Sequence, residues 1–402
     1  MEGYSTASQS SLSYRLLGDV LASSPMKQDK GGRDVLDDEP LTQAGAAVDD
    51  APPEPEQAPE AINDRSSRAI KGVLLALKAG PLFILALMML FLWAATEGHV
   101  FMTFGNMGNV LEQSGGVCII ALGQLLVILT RGIDLSIGSN VSLCCVMVTV
   151  VYRDTNSAWL AIGVTLLTGL AVGLTNGLLL VWGRLPHPFI ATLATLSICA
   201  GLALYIAGGS TVLGSPWIVH KLGGGRIPGI PGAGHIGWFP YATLVVIVFT
   251  VICAVILHKL VWGRWIYAVG GSPEASVRTG VPMNGTLISV YVMSGLSGAI
   301  GGMLFVGTAD AGSPFTGQGM ELNAIAAVII GGGSFLGGRG GVLNALAGAL
   351  ILGVMHNGLN LLGLDPNFQY LAVGAVVVVA VELDVLRAFV ENRFRSMQAR
   401  LA

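Results

Sequence analysis

From residue 79 to residue 386 the chain is a succession of apolar stretches, each close to the length of a bilayer crossing and each ended by a short polar break. A helix needs about 20 mostly apolar residues to span the hydrocarbon layer. Hydropathy places ten such spans at 79–96, 107–130, 135–152, 158–182, 189–208, 241–258, 286–309, 322–338, 341–363 and 368–386. Only 11% of the residues are charged and 53% are hydrophobic, whereas a soluble domain carries roughly 25% charge. So few charges cannot cover that much apolar surface in water. The sequence therefore predicts an all-α membrane protein with about ten transmembrane helices.

Lysine and arginine set the orientation. With the amino end inside and ten crossings, the inner segments collect 13 basic residues: Arg65, Arg68, Lys71, Arg131, Arg184, Lys259, Arg264, Arg278, Arg339, Arg387, Arg393, Arg395 and Arg400. The outer segments collect 3: Arg153, Lys221 and Arg226. Cytoplasmic loops carry such an excess, so both termini are expected in the cytoplasm. Residues 1–64 hold 13 acidic and 4 basic side chains. Rich in proline and poor in aromatics, this stretch is expected to be a disordered tail over residues 1–70, followed by a polytopic membrane body over 71–402. No secretory leader is expected ahead of it.

The helix texture is small-residue rich. Gly169, Gly173 and Gly177 recur every fourth residue, as do Ser294, Gly298 and Gly302. That spacing lets helix backbones approach closely in lipid, where no hydrophobic drive holds helices together. The five cysteines lie in apolar runs with no metal-ligand spacing, as expected of small buried hydrophobes. There is no paired-carboxylate, nucleophile–base or metal constellation to support covalent chemistry, and the chain is not expected to be an enzyme.

Three breaks are candidates for function, because non-helical backbone at membrane depth is tolerated only where protein or a water-filled cavity surrounds it. The first, TRGIDLSIGSN at 130–140, holds Asp134, the only acid between Glu112 and Asp154. It reads either as an inner turn, with Asp134 capping the next helix beside Ser136, or as a broken helix lining a path, with Asp134 and Asn140 bonding a solute. The second, at 321–341, ends in a glycine cluster. It lacks the GxxxxGK[ST] pattern that cradles phosphate, so no nucleotide hydrolysis is expected of this chain, and the cluster reads as a tight turn or re-entrant backbone. The third, at 263–280, carries start and stop signals for a two-turn helix: Ser272 as N-cap, Pro273 at the first position and Gly280 as a left-handed C-cap. Glu274 and Arg278 stand four apart and can pair on one face. Such a helix in an inner loop reads either as a docking site for another protein or as an ordinary amphipathic connector.

The stretches 122–139, 188–198, 267–280, 321–341 and 357–363, in this order, resemble the permeases of bacterial ATP-driven monosaccharide importers, the ribose/xylose/arabinose/galactose permease family. The resemblance spans about residues 90–386. It implies a subunit of the bacterial inner membrane, paired with a second permease copy or a paralogue. A periplasmic sugar-binding protein would serve it, and a tandem-domain ATPase would drive it, so that ATP is bound by the partner and the chain needs no cofactor. No nucleic acid is implied. On this resemblance Ser272, Pro273, Glu274, Arg278 and Gly280 form the helix that docks the ATPase. Asp134, Ser136, Asn140, Glu321 and Asn323 are polar residues of the matched motifs, and Asn176, Asn357 and Asn360 are polar groups in apolar spans. All eight are candidates for the sugar path, with helix-to-helix hydrogen bonding as the competing role. The sequence departs from the family at Asn323, where a second acid is frequent, at Ala200, where a base is frequent, and at His187, where proline is usual. An ion-coupled transporter working alone is the rival reading, with Asp134, Glu321 and Glu382 as its few intramembrane acids.

Overall fold

The computed structural model describes residues 64–183, 185, 187–228, 237, 239–365, 367–368, 371–376, 378–379 and 382. The chain divides into two units, Met1–Ala58 and Pro59–Ala402. The first lies outside the described residues, as do Arg184, Arg387, Arg393, Arg395, Arg400 and much of the expected span 368–386.

The second unit is built of helices α1 (Asp64–Ala95), α2 (Phe104–Leu129), α3 (Ile137–Thr155), α4 (Ala158–Val181), α5 (Pro188–Ala207), α6 (Trp217–Gly224), α7 (Tyr241–Lys259), α8 (Val261–Gly271), α9 (Pro273–Arg278), α10 (Met283–Ala309), α11 (Met320–Ile330) and α12 (Val342–Leu361). Two short strands, β1 (Val212–Leu213) and β2 (Ala311–Gly312), pair antiparallel. The first helix starts at Asp64, ahead of the boundary expected at residue 70.

Among the described residues six helices are long and apolar enough to cross a membrane: α2, α4, α5, α7, α10 and α12. Three other expected spans differ from plain crossings. The apolar part of α1 is only Gly80–Ala95. The span expected at 135–152 is the helix α3, which buries Ser139, Asn140, Ser142 and Thr149 among its apolar residues. The span expected at 322–338 is corrected: α11 stops at Ile330. At about 1.5 Å per residue, its 11 residues cover roughly 16 Å, half of the ~30 Å hydrocarbon layer. The hydropathy window had joined this half-helix to the glycine turn beyond it.

Helix α2 is the hub, buried without interruption from Ser114 to Leu129. A helix apolar on all sides belongs in the interior. Its cluster takes in Phe249 and Cys253 of α7, Tyr291 and Leu304 of α10, and Ala345 and Leu352 of α12. By contrast α4, α5 and α7 expose Leu167, Leu193, Ile198, Ile247 and Val251, as lipid-facing helices do. All five cysteines are buried.

Each small-residue stripe makes a close helix contact, as its spacing predicts. A Cβ at Gly173 would lie 2.8 Å from the Val292 Cα, one at Gly177 would lie 2.8 Å from the Ile288 Cα, and Gly169 lies against the Gly295 carbonyl. Thus α4 and α10 touch backbone to backbone. The other stripe of α10 faces α3: Gly302 packs on Val141 and Cys144, and Gly298 on the Asn140 amide.

The loops gather in two groups. In one the α2–α3 break, the close of α8 and the 331–341 turn converge: Gly338 N–H donates to the Leu129 carbonyl at 2.9 Å, and the Tyr267 hydroxyl to the Gly340 carbonyl at 2.9 Å. In the other, β1 pairs with β2, and Arg226 bonds Glu112 at 3.0 Å and Asn109 at 2.6 Å.

Candidate functional site: two broken helices and a capped surface helix

Helix α2 closes in a Schellman turn: Gly132 N–H donates to the Val127 carbonyl at 3.0 Å and Arg131 N–H to the Ile128 carbonyl at 2.9 Å. The chain then runs unwound to Ser136 and restarts as α3. This restart is deep. Ser294, which meets Asp134, stands about 16 Å along α10 from its start.

Asp134 is 1% exposed and fully engaged. One carboxylate oxygen accepts from the Ser136 N–H at 2.9 Å and the Ser136 hydroxyl at 2.7 Å. The other accepts from the Ser294 hydroxyl at 2.7 Å. Gln124, its amide oriented to satisfy both partners, donates to the Asp134 carbonyl and accepts from its N–H, each at 3.2 Å. The chain of bonds continues: Asn176 donates to the Ser136 hydroxyl at 2.8 Å, and the Thr195 hydroxyl donates to Asn176. Five elements, α2, α3, α4, α5 and α10, thus meet on one polar line. Asn140 donates to the Gly295 carbonyl at 2.9 Å and accepts from Cys144. Asp134, Ser136, Asn140 and Asn176 are all buried, and each bonds to a residue of another helix. In a low-dielectric interior such satisfied networks hold helices in one register.

Helix α11 also begins inside the body. Gly317 N–H donates to the Ser142 hydroxyl of α3 at 2.9 Å, and Gly138 and Gly317 are in backbone contact. Glu321, in the first turn of α11, rests its carboxylate over Gly138 in the first turn of α3. It therefore sits at two helix N-termini, where partial positive charge favours an anion. Glu321 and Asn323 are half-buried, so unlike Asp134, Asn140 and Asn176 they keep an open side. The structure does not bring Asn357 and Asn360 to this place. Asn357 pairs reciprocally with Asn106 of α2, at 2.9 and 3.1 Å, and Asn360 is exposed near the end of α12.

Sequence reasoning missed Gln124, Ser294, Thr195 and Asn106. Each is an ordinary polar residue in an apolar helix, and only its partner on another helix, Asn357 for Asn106 and the polar line for the other three, marks it out.

The expected surface helix is α9. Ser272 caps it, accepting from Ala275 N–H at 3.3 Å, with Pro273 at the first position. Gly280 is left-handed at φ 78°, and Val281 N–H closes a Schellman turn on the Ser276 carbonyl at 3.0 Å. Ser276 is buried against the body, while Glu274, Val277 and Arg278 project outward. The expected Glu274–Arg278 pair is absent among the described ion pairs. Among the described residues neither side chain makes an ion pair, and both are exposed.

A family described as "Branched-chain amino acid transport system / permease component" matches residues 106–381. The chain belongs to this family. Three relatives are similar over most of their own length. The permease is 35% identical to the ribose import permease protein RbsC of Escherichia coli K12, over 75% of this chain and 92% of the relative. It is 36% identical to the fructose import permease protein FrcC of Rhizobium meliloti, over 76% and 84%. It is also 35% identical to a probable ABC transporter permease, y4mJ of Sinorhizobium fredii, over 74% and 87%. No solved structure matches. Both breaks, the glycine stripes and α9 fall inside the matched residues of this permease, so the features built above belong to its membrane body.

Proposed function

We propose that this chain is the permease subunit of an ATP-driven importer that carries a monosaccharide, or a similar polyol, across the bacterial inner membrane. The observation that carries this reading is its likeness, over three quarters of its length, to import permeases named for ribose, allose, fructose and galactose. In this reading the chain crosses the membrane ten times, two crossings being part helix and part extended chain, with both termini and α9 in the cytoplasm and residues 1–70 as a cytoplasmic tail. Two copies, or this chain and a paralogue, enclose the path. A binding protein delivers solute outside, and a tandem-domain ATPase grips α9 through Glu274, Val277 and Arg278. Glu321 and Asn323, at the paired half-helix ends, face the solute. Asp134, Ser136, Asn140 and Asn176 shape that wall from behind. Trp262 and Trp265, beside the start of α10, suit the inner interface, where indole rings anchor at headgroup depth.

The test is reconstitution. The chain alone in proteoliposomes should accumulate no sugar under a proton or sodium gradient. With its ATPase, its binding protein and ATP, it should. Gradient-driven uptake by the chain alone would establish the ion-coupled reading instead. In the assembled importer, E274A/R278A should weaken ATPase co-purification by about tenfold, roughly 1.4 kcal/mol, with membrane insertion intact. Unchanged co-purification would remove these two residues from the docking face.

A further inference from the structure

Arg131 is an unusual choice for its place. It occupies the left-handed position of the α2 Schellman turn, at φ 64°, where glycine is the common residue and an L side chain costs about 1 kcal/mol. Glycine follows it immediately. What holds arginine there is its side chain. Its Nε donates to the Gly270 carbonyl at 2.6 Å and an Nη to the Gly271 carbonyl at 2.8 Å. Those carbonyls are the last two of α8, and the next residue is Ser272, the cap of α9. The guanidinium thus takes two carbonyls that a helix C-terminus leaves without partners, using its rigid fork on both at once.

The contact is close on every side. A Cβ at Gly270 would lie 2.5 Å from the Gly338 nitrogen and 2.9 Å from the Leu129 carbonyl carbon, and the Arg131 side chain packs against Gly337. No side chain cushions the end of α8 from the end of α2. On its other side Arg131 is three residues from Asp134, whose carboxylate joins α3 to α10 and, through Ser136, reaches α4 and α5.

We propose that Arg131 is the positioning residue that carries movement of the docking helix α9 into the membrane body, by tying the α8 end to the unwound α2–α3 segment. It rests on the reading of α9 given under Proposed function. A shift of α9 drags the Gly270 and Gly271 carbonyls, these pull Arg131, and the segment 132–136 shifts the bonds that hold Ser294 and Asn176. The route passes through two side-chain bonds and a short stretch of backbone, and it bypasses the glycine turn at 331–341.

The experiment compares wild type, R131Q and R131K in the importer assembled with its ATPase and binding protein, measuring ATPase co-purification, ATP hydrolysis and solute accumulated per ATP. For R131Q the expected result is unchanged co-purification, hydrolysis within about twofold, and a fall in solute per ATP of about tenfold, inside the range by which residues on a coupling route act. R131K, whose ammonium is a single point donor, should fall between the two. A residue that only stabilised the fold would lower amount, hydrolysis and uptake together and leave the ratio untouched. An unchanged ratio in R131Q overturns the proposal, as does loss of co-purification. If R131Q fails to insert, R131K decides by the same ratio. A wild-type chain that holds no ATPase overturns the proposed function itself, and the wild-type arm alone reveals that.

Discussion

Replacing Asp134 by alanine should destabilise the membrane body by on the order of 3 kcal/mol, while asparagine at the same position should cost about 1 kcal/mol or less. Alanine leaves the Ser136 N–H and the Ser136 and Ser294 hydroxyls facing an apolar methyl. Each buried donor without an acceptor costs about 1–3 kcal/mol, and rotation of the two hydroxyls recovers part of that. Asparagine keeps the oxygen that takes both Ser136 donors and presents an N–H to Ser294, whose hydroxyl turns to accept. The comparison also weighs charge against bonding. If burying a carboxylate were the dominant strain, both variants would gain stability. Thermal unfolding in detergent or nanodiscs reads the order directly, and an alanine variant as stable as wild type would show that the polar line does not hold the helices.

The second large effect is at Gly173. Valine there should prevent accumulation of folded protein, because its Cβ would stand 2.8 Å from the Val292 Cα and 2.9 Å from the Tyr291 carbonyl carbon. These are backbone atoms of a helix buried on several sides, so no rotamer change relieves the clash and α4 must move off α10. The control lies on the same helix. A Cβ at Gly163 meets nothing within 4 Å, so alanine there should be neutral or add up to about 1 kcal/mol through helix propensity. Fluorescence-detected size exclusion of the solubilised variants separates the outcomes. Equal recovery of G173V and G163A would refute the close packing of these two helices.

Both experiments mark the boundary of what the residues announced. The α4–α10 contact was legible because three glycines four apart can serve few purposes in a lipid-facing helix, and the same holds for the serine–glycine stripe of α10. Helix α9 was legible because capping is local: Ser272, Pro273 and Gly280 act within their own turn. The polar line was only half legible. Asp134, Ser136 and Asn176 stood out as polar residues in apolar surroundings, but Gln124, Thr195 and Ser294 lie on other helices, and no short-range pattern links them. For the same reason the sequence left open whether Asp134 caps a helix or lines a path. In the structure it accepts from Ser136 in the last turn before α3 and also reaches across to α10. The half-helix α11 was misread as a full span because hydropathy counts glycine as permissive in a window, whereas the backbone at 331–341 turns. Glu274 and Arg278 have the spacing of a pair yet remain apart, as long exposed side chains gain little by joining.

The burial of all five native thiols has a practical side. A cysteine reacts as its thiolate, and none of Cys118, Cys144, Cys145, Cys199 and Cys253 is within reach of water or of a polar reagent. The natural chain is thus a blank background for labelling. One cysteine added at the exposed Ala275 of α9, outside the three proposed docking residues, can carry a dye or spin probe without first stripping the others from the core, and the motion of that helix can be followed.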